Sequence, residues 1–549
     1  MLGERMNRFL ICILPATVLT LTTTASAQTP VTQNKWSPRI GVEGKPGTDR
    51  SLGEADLFFP VWQNNDTLLF ANLRGRFDNQ DSLEGNAGLG LRHMLDTGWN
   101  LGGYGYFDRR RTPGDNHFNQ ATFGVEALSL NWDFRANGYI PVGTTEHEAD
   151  SASVTQFTGT GFTYRAGEER SMSGFDAEIG WRLPLFKRDA AHQLRLYAGG
   201  YRFTDSKAET IEGPRTRLDM NFNDIPFLGQ GARLSLGLEH QHDDPRGSQT
   251  FGLVRLSIPL GGPERGSRQP TPMERRMTDP VIRDVDVVSQ AGAYGRTEHI
   301  TETAEGKRIT VLDSTSISNG TDLATAINAA GANTAVILNG DYTDINQLAV
   351  LQDGQDILGK STLLAKTPSG KIVNLTTPSA SITGEGENGS GGPNRFFEMA
   401  NNSSLVGVQA SISRSGSALI AQMDNVSNVQ IHDNVLHSQV SASTAALFLI
   451  KNSHHISIRD NNATVVANGS TGQALAFTDN NSYIDFSDNT LFLSGTILTT
   501  DIHTYLLAGG VTINHLSGTG NTANIARCYI VSTYTITGTI KTNGTDMCP

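Results

Sequence analysis

Residues 130–139 read LNWDFRANGY. In an extended chain successive side chains point to opposite sides. Leu130, Trp132, Phe134 and Ala136 therefore share one face, and Asn131, Asp133, Arg135 and Asn137 share the other. Two later stretches repeat the pattern. In Phe175–Leu183 (FDAEIGWRL), Phe175, Ala177, Ile179, Trp181 and Leu183 oppose Asp176, Glu178 and Arg182. In Ala232–Glu239 (ARLSLGLE), Ala232, Leu234, Leu236 and Leu238 oppose Arg233, Ser235 and Glu239. The apolar face reads as lipid-facing. The polar face carries both signs of charge, so Asp133, Arg135, Asp176, Glu178, Arg182, Arg233 and Glu239 are expected to line a lumen of paired charges.

Twelve or thirteen segments of this kind lie between residues 37 and 260, starting near 37, 54, 66, 85, 98, 118, 130, 154, 174, 193, 215, 232 and 248. Each is about nine to eleven residues long, the length of a tilted strand that crosses a bilayer. A soluble β-sandwich also alternates, but its strands are usually about five or six residues. A membrane sheet must close on itself, because lipid offers no partner to an open edge. Aromatic residues toward segment ends, including Trp62, Trp99, Tyr104, Tyr106 and Phe107, are expected to form an interfacial girdle.

Within this region stand Gly88–His93 (GLGLRH), Trp99–Tyr104 (WNLGGY), Phe107-Asp108-Arg109, His117, Gly124-Val-Glu126 and Asn137–Pro141 (NGYIP). As an ordered set, over roughly residues 36–262, these motifs resemble the translocator domain of the intimin/invasin family, the inverse autotransporters. The resemblance implies a 12-stranded outer-membrane barrel, so that one of thirteen segments is not a wall strand. It also implies an exported passenger after the barrel, a role in host-cell or surface attachment, and as partners the outer-membrane lipid, the barrel-assembly machinery and periplasmic chaperones. The chain departs from the family in two ways. Trp36 follows Ala27 by nine positions, leaving no room for a peptidoglycan-binding module, and no tandem immunoglobulin-like repeats are visible. The family's receptor contacts are therefore not carried over to any residue.

The rest of the chain agrees with export. Met1–Ala27 has Arg5 and Arg8, then the apolar run Phe9–Leu21, then Ala25-Ser26-Ala27, the build of a secretory signal peptide. The apolar run is too short for a membrane helix, which needs about 20 residues. Of three cysteines, Cys12 falls in this leader. Cys528 and Cys548 then close one short loop as a disulfide, suited to an oxidising compartment; the alternative is two unpaired thiols. The formal charge of −12 argues against a nucleic-acid partner, which would want a basic face.

Composition breaks near residue 319. Residues 319–549 hold 9 Lys+Arg and 16 Asp+Glu, whereas all five tryptophans lie before residue 182. Between the halves, residues 261–305 are polar and interrupted by Pro270, Pro272 and Pro280. This linker, carrying Arg275, Arg276 and Arg283, suits a return through a charged lumen; an ordinary interdomain linker is the alternative.

The second half repeats. Val429–Asn434 (VQIHDN), Ile456–Asn461 (ISIRDN) and Ile484–Asn489 (IDFSDN) succeed one another at 27 and 28 residues. Ala418–Ala421, Ala446–Leu449 and Ala474–Phe477 recur at 28. Short strands at this period, with Asn at a fixed corner, predict a parallel β-helix. Asn434, Asn461 and Asn489 are expected to stack as a ladder, with Asn425, Asn452 and Asn480 as a second. Asn is expected to take the left-handed corner. Thr321–Ala330 predicts a capping helix.

The expected fold is thus all-β, a 12-stranded antiparallel transmembrane barrel followed by a right-handed parallel β-helix passenger. The expected layout is signal peptide 1–27, barrel 28–262, lumen-threading linker 263–305 and surface-exposed passenger 306–549. The same repeat stacks Asp433, Asp460 and Asp488. Carboxylates about 4.8 Å apart would repel, raising a pKa or recruiting a cation, as in polysaccharide lyases and glycoside hydrolases. The competing reading is that each Asp-Asn pair makes a turn, and regular recurrence favours it. His432, His437, His454 and His455 match no zinc signature, and no motif asks for a cofactor. The sequence therefore points to a non-enzymatic surface-display protein of the outer membrane whose passenger attaches to host cells or surfaces, with a displayed polysaccharide-degrading enzyme as the alternative.

Overall fold

The computed structural model describes residues 35–549 except 189, 226–227, 229–230, 261–269, 285, 318–319, 390–391, 470, 497–501, 509, 532 and 548–549. The expected signal peptide lies outside the described residues. The chain divides into two compact units, one of residues up to 145, 172–205 and 209–288, the other of 146–171, 206–208 and 289–549. No described helix is long and apolar enough to cross a membrane.

In the first unit, twelve described strands close into an antiparallel barrel. They are Arg39–Lys45, Leu52–Gln63, Thr67–Asp78, Leu83–Met94, Trp99–Arg111, His117–Ser129, Trp132–Val142, Ser173–Arg182, His192–Thr204, Ile211–Asn223, Arg233–Asp243 and Gly247–Pro259. The last pairs with the first, Arg39 opposite Pro259, so every wall strand has two neighbours and no edge faces lipid. Pro60 lacks an N–H for the ladder, and the register shifts there, between Pro60 and Trp62. The thirteenth segment is accounted for: the strand Val154–Phe157 belongs to the second unit, not to the wall.

Alternation sorts the wall residues. Trp132, Phe134, Phe175, Ile179 and Trp181 are exposed on the outside, and Asp133, Arg135, Asp176, Glu178, Arg182 and Glu239 are buried inside. The girdle expectation needs correction. Trp62 and Phe107 are exposed, but Tyr104 and Tyr106 are buried and face inward. Glycine explains why they fit. A Cβ on Gly88 would come within 2.4 Å of the Tyr106 ring, and one on Gly124 within 2.2 Å of Tyr104. The lumen has room for these rings because the neighbouring strands present no side chain beneath them.

The second unit is a parallel solenoid with three ladders. One contains Ser427–His432, His454–Arg459 and Asn480–Ser487. A second contains Val435–Val440, Asn462–Ala467 and Thr490–Ser494. The third contains Ala418–Asp424, Thr444–Lys451 and Thr471–Thr478. In this third ladder the coil step is 27, not 28, since Ala418 aligns with Ala445 and Ala445 with Gly472. Leucine, isoleucine, valine and phenylalanine from all three ladders fill one continuous core, which the helix Gly320–Ala330 joins through Leu323 and Ile327.

Candidate functional site

The lumen of the barrel is filled by its own chain. Thr271 and Glu274 form a reciprocal capping box on the short helix Pro272–Arg276. Trp36 Nε1 donates to the Glu274 carbonyl at 2.8 Å. The N–H groups of Met277, Thr278 and Asp279 still turn back to the carbonyls of Glu274, Arg275 and Arg276. Beyond them the described residues up to Val288 lie in no strand, so their backbone polar groups must be satisfied largely by side chains of the wall. Arg92 Nη1 donates to the carbonyls of Met277 and Asp279 at 2.9 and 2.7 Å. Arg74 donates to the Val281 carbonyl at 2.6 Å. Tyr104 and Asn137 both donate to the Ile282 carbonyl, at 3.3 and 3.2 Å. The N–H of Asp284 donates to the Tyr139 hydroxyl, that of Val287 to Glu84 Oε2, and Arg110 donates to the Val287 carbonyl.

Charge is matched along the same path. Arg276 pairs with Asp133 at 2.5 Å, Arg283 with Asp108 at 2.9 Å, Asp279 with Arg233 at 2.6 Å, and Asp286 with Arg50 at 2.7 Å. Arg275 pairs with Asp224 at 2.9 Å. The pairs of Arg276 and Arg283 sit in the protein interior, where an isolated charge would be costly and a paired, hydrogen-bonded one is tolerated; that of Arg275 is partly exposed. Met277 and Val281 pack with Trp36, Phe58, Leu68, Phe70, Tyr104 and Tyr106. The segment therefore runs from the end of the lumen holding Trp36 to the end holding Arg50 and Ser82. Ten residues can span at most about 33 Å, enough to cross.

The residues chosen from alternation fall into this network. Arg135 pairs with Glu178 at 2.8 Å and lies 3.5 Å from Asp133. Asp176 meets Arg215 at 3.4 Å, and Glu239 meets Lys45 at 3.0 Å. Arg182 donates to Asn131 and to the Phe186 carbonyl. Sequence reading missed Arg92, Asp108, Glu126 and Arg195, which are equally buried. It also missed the acidic residues of the threading segment, Glu274, Asp279, Asp284 and Asp286; their alternation with Arg275, Arg276 and Arg283 was the signal available.

In the solenoid, Asn434, Asn461 and Asn489 are buried. Asn461 Oδ1 accepts from the N–H and Nδ2 of Asn434 at 3.1 and 2.9 Å, and Asn489 Oδ1 accepts from the same atoms of Asn461 at 3.1 and 3.0 Å. Asn521 continues the column beneath Asn489 at 3.0 and 3.1 Å; the step of 32 residues hid it from the repeat. The left-handed corner belongs not to these asparagines but to the residue before each, Asp433, Asp460 and Asp488 at φ 58, 55 and 56°, and Gly520 at 73°. Asn425, Asn452 and Asn480 lie at an exposed corner, where Asn425 and Asn452 take the expected left-handed geometry at φ 58 and 47° and the Asn480 N–H donates to Asn452 Oδ1 at 3.3 Å; the buried contacts there are made by Ser453 and Asn481, whose Oγ and Oδ1 accept from the N–H groups of Val426 and Ser453. Asp433, Asp460 and Asp488 point to solvent, and Asp433 Oδ2 lies 2.7 Å from His432 Nδ1. No group of three His, Cys, Asp or Glu side chains able to hold a metal occurs among the described residues. Cys528 is disulfide-bonded; Cys548 lies outside the described residues.

Residues 19–281 match the family described as inverse autotransporter, beta-domain. The barrel is an inverse autotransporter β-domain. It belongs in the outer membrane, in contact with lipid, and the chain is an outer-membrane autotransporter with a β-helical passenger. Several solved structures resemble this inverse autotransporter β-domain. The translocator domain of the autotransporter NalP from Neisseria meningitidis is 11% identical with a TM-score of 0.24, covering 42% of this chain and 90% of that one. The β domain of the Bordetella autotransporter BrkA is 9% identical with a TM-score of 0.24, covering 41% and 99%. The KdgM porin is 8% identical with a TM-score of 0.25, covering 41% and 99%. No curated protein matches the chain.

Proposed function

We propose that the barrel anchors the chain in the outer membrane and that the passenger stands on the cell surface as a binding module for host cells or other surfaces. One observation carries the reading: the chain between Met277 and Val287 is held inside the lumen by wall side chains, Arg92 on the Met277 carbonyl, Arg74 on that of Val281 and Arg110 on that of Val287. A chain that passes through its own pore delivers its C-terminal part to the far side of the membrane. The solenoid supports a binding role because its coils present a repeated, extended surface, while its acidic column is built from solvent-facing turn residues. In this reading the barrel-assembly machinery and periplasmic chaperones deliver the barrel.

The test is labelling of intact cells that make the full chain with Asn462→Cys, an exposed wall position; Ser470, the position that the sequence alone suggests, lies outside the described residues. Reaction with a membrane-impermeant maleimide on intact cells is expected, together with retention of those cells on cultured host cells or a glycan array. Labelling only after permeabilisation of the outer membrane would overturn the topology, and labelled cells that bind nothing would remove the attachment role.

A further inference from the structure

One part of the translocator chain is not wall. Between the strands Trp132–Val142 and Ser173–Arg182, residues 146–171 form an excursion of four short strands that belongs to the passenger unit. We infer that this excursion is a folding template for the passenger, to which the residues just after the lumen segment add as a third strand and on which the first coils seat. The inference rests on the surface-display reading above.

Strand addition is visible in the register. Glu168–Ser171 is flanked by Glu146–Glu148 on one side and by Ser289–Gly292 on the other, with Ser171 opposite Ser289 and Glu168 opposite Gly292. Phe162–Arg165 is likewise flanked by Val154–Phe157 and by Thr297–Ile300, with Arg165 opposite Thr297 and Phe162 opposite Ile300. Between the two sheets, Gly295 N–H donates to the Ala166 carbonyl at 3.0 Å. Residues 289–300 thus run antiparallel along the whole return limb of the excursion. Without them that limb is an open edge, the substrate for β-strand addition.

The second observation is burial on the wrong side. In a solenoid wall alternate residues face solvent, yet Thr334, Ala335, Val336, Ile337 and Leu338 are all fully buried. Val336 and Leu338 enter the main core. Ala335 and Ile337 face the other way, into a separate cluster with Phe162, Tyr164, Ile300, Leu358, Leu375 and Val406, against which Phe157 and Ala166 also pack. The excursion therefore supplies the aromatic cover for an apolar outer face of the first coils. Later coils carry the exposed Arg459 in the corresponding wall and need no cover. Polar contacts hold the arrangement. Lys371 pairs with Asp150 at 2.6 Å and Glu148 at 3.1 Å, and the Ser369 N–H donates to Glu298 at 2.8 Å. Because both ends of the excursion are covalently part of the wall, its effective concentration for the tethered passenger is high throughout export.

Two variants of the full chain test this on intact cells. In Phe162→Ser/Tyr164→Ser the barrel is expected to keep its heat-modifiable migration while proteinase K digests the displayed passenger roughly tenfold faster or more, as opening of the first coils becomes easier. Wild-type resistance in that variant overturns the template. If the variant barrel fails to assemble, Thr163→Cys/His299→Cys decides, because the two positions face each other in the register. A pulse-labelled chain is expected to form this crosslink before its passenger becomes protease-resistant; a crosslink that forms only afterwards, or never, overturns the inference. A wild-type passenger that protease cannot reach on intact cells would instead defeat surface display itself, a separate failure.

Discussion

Asn461 accepts two hydrogen bonds from Asn434 and donates to Asn489, to the Ile431 carbonyl and to the Arg459 carbonyl. Replacing it with leucine takes the acceptor from the buried backbone N–H of Asn434 and from one of its amide hydrogens, the other still meeting the Leu405 carbonyl. A buried unsatisfied group costs roughly 1–3 kcal/mol, so Asn461→Leu is expected to destabilise the passenger by at least that amount and lower its denaturation midpoint. Asp460, next to it, is exposed and left-handed. Asp460→Ala should cost about 1–2 kcal/mol or less, the ordinary penalty of a Cβ in that region, and Asp460→Gly should recover it. Gly520 already plays that part in the last corner. Denaturant melts of the full chain in detergent, read by protease resistance of the passenger, check the order. The same variants in a reducing-sugar assay bear on enzymatic use of the acidic column: loss of glycan cleavage in Asp460→Ala with stability intact would establish it. The Asn positions are legible because they recur; the left-handed residue of the buried column is not, since Asp and Asn are both tolerant and only backbone geometry chooses between neighbours, which takes Asn425 and Asn452 at one corner and Asp433, Asp460 and Asp488 at the other.

At the scale of the strand, alternation separates lipid from lumen, but it does not say how deep a residue lies. Phe123 is near the middle of His117–Ser129, is 59% exposed, and meets lipid midway up the wall. Trp181 sits at the end of Ser173–Arg182, its ring stacked on Trp132 at 6.2 Å, where an interfacial aromatic belongs. Arginine on the lipid face costs about 2–4 kcal/mol at the midplane and about 0–1 near the interface. Phe123→Arg is therefore expected to reduce the heat-modifiable fraction of barrel strongly and Trp181→Arg weakly; the reverse order would show the depth assignment to be wrong. Tyr104 and Tyr106 show the limit of reading strands singly. Their place inside depends on Gly88 and Gly124 on neighbouring strands, a pairing no single strand displays.

For the whole molecule, the threading segment makes the barrel a closed conduit. Replacing residues 272–288 by Gly and Ser at equal length removes Arg276, Arg283, Asp279 and Asp286, and with them one ion-pair partner each of Asp133, Asp108, Arg233 and Arg50. Stepwise ion conductance in planar bilayers is expected from that variant and little from the wild type; equal, low conductance would mean that the ion pairs do not hold the plug. What the amino-acid sequence determined by itself was everything carried by local chain geometry. A period of two marks a wall and its faces, and a period near 28 marks a coil, because side-chain direction and rise per residue are fixed within a few bonds. The tertiary structure alone decided which segment leaves the wall, which wall residues grip the linker, and where the Asn column ends. Val154–Phe157 reads from the sequence as one more extended segment of the series. Its place is set by Phe162–Arg165 and by Thr297–Ile300, more than a hundred residues away, and pairing energy between residues so distant leaves no mark on the periodicity of either.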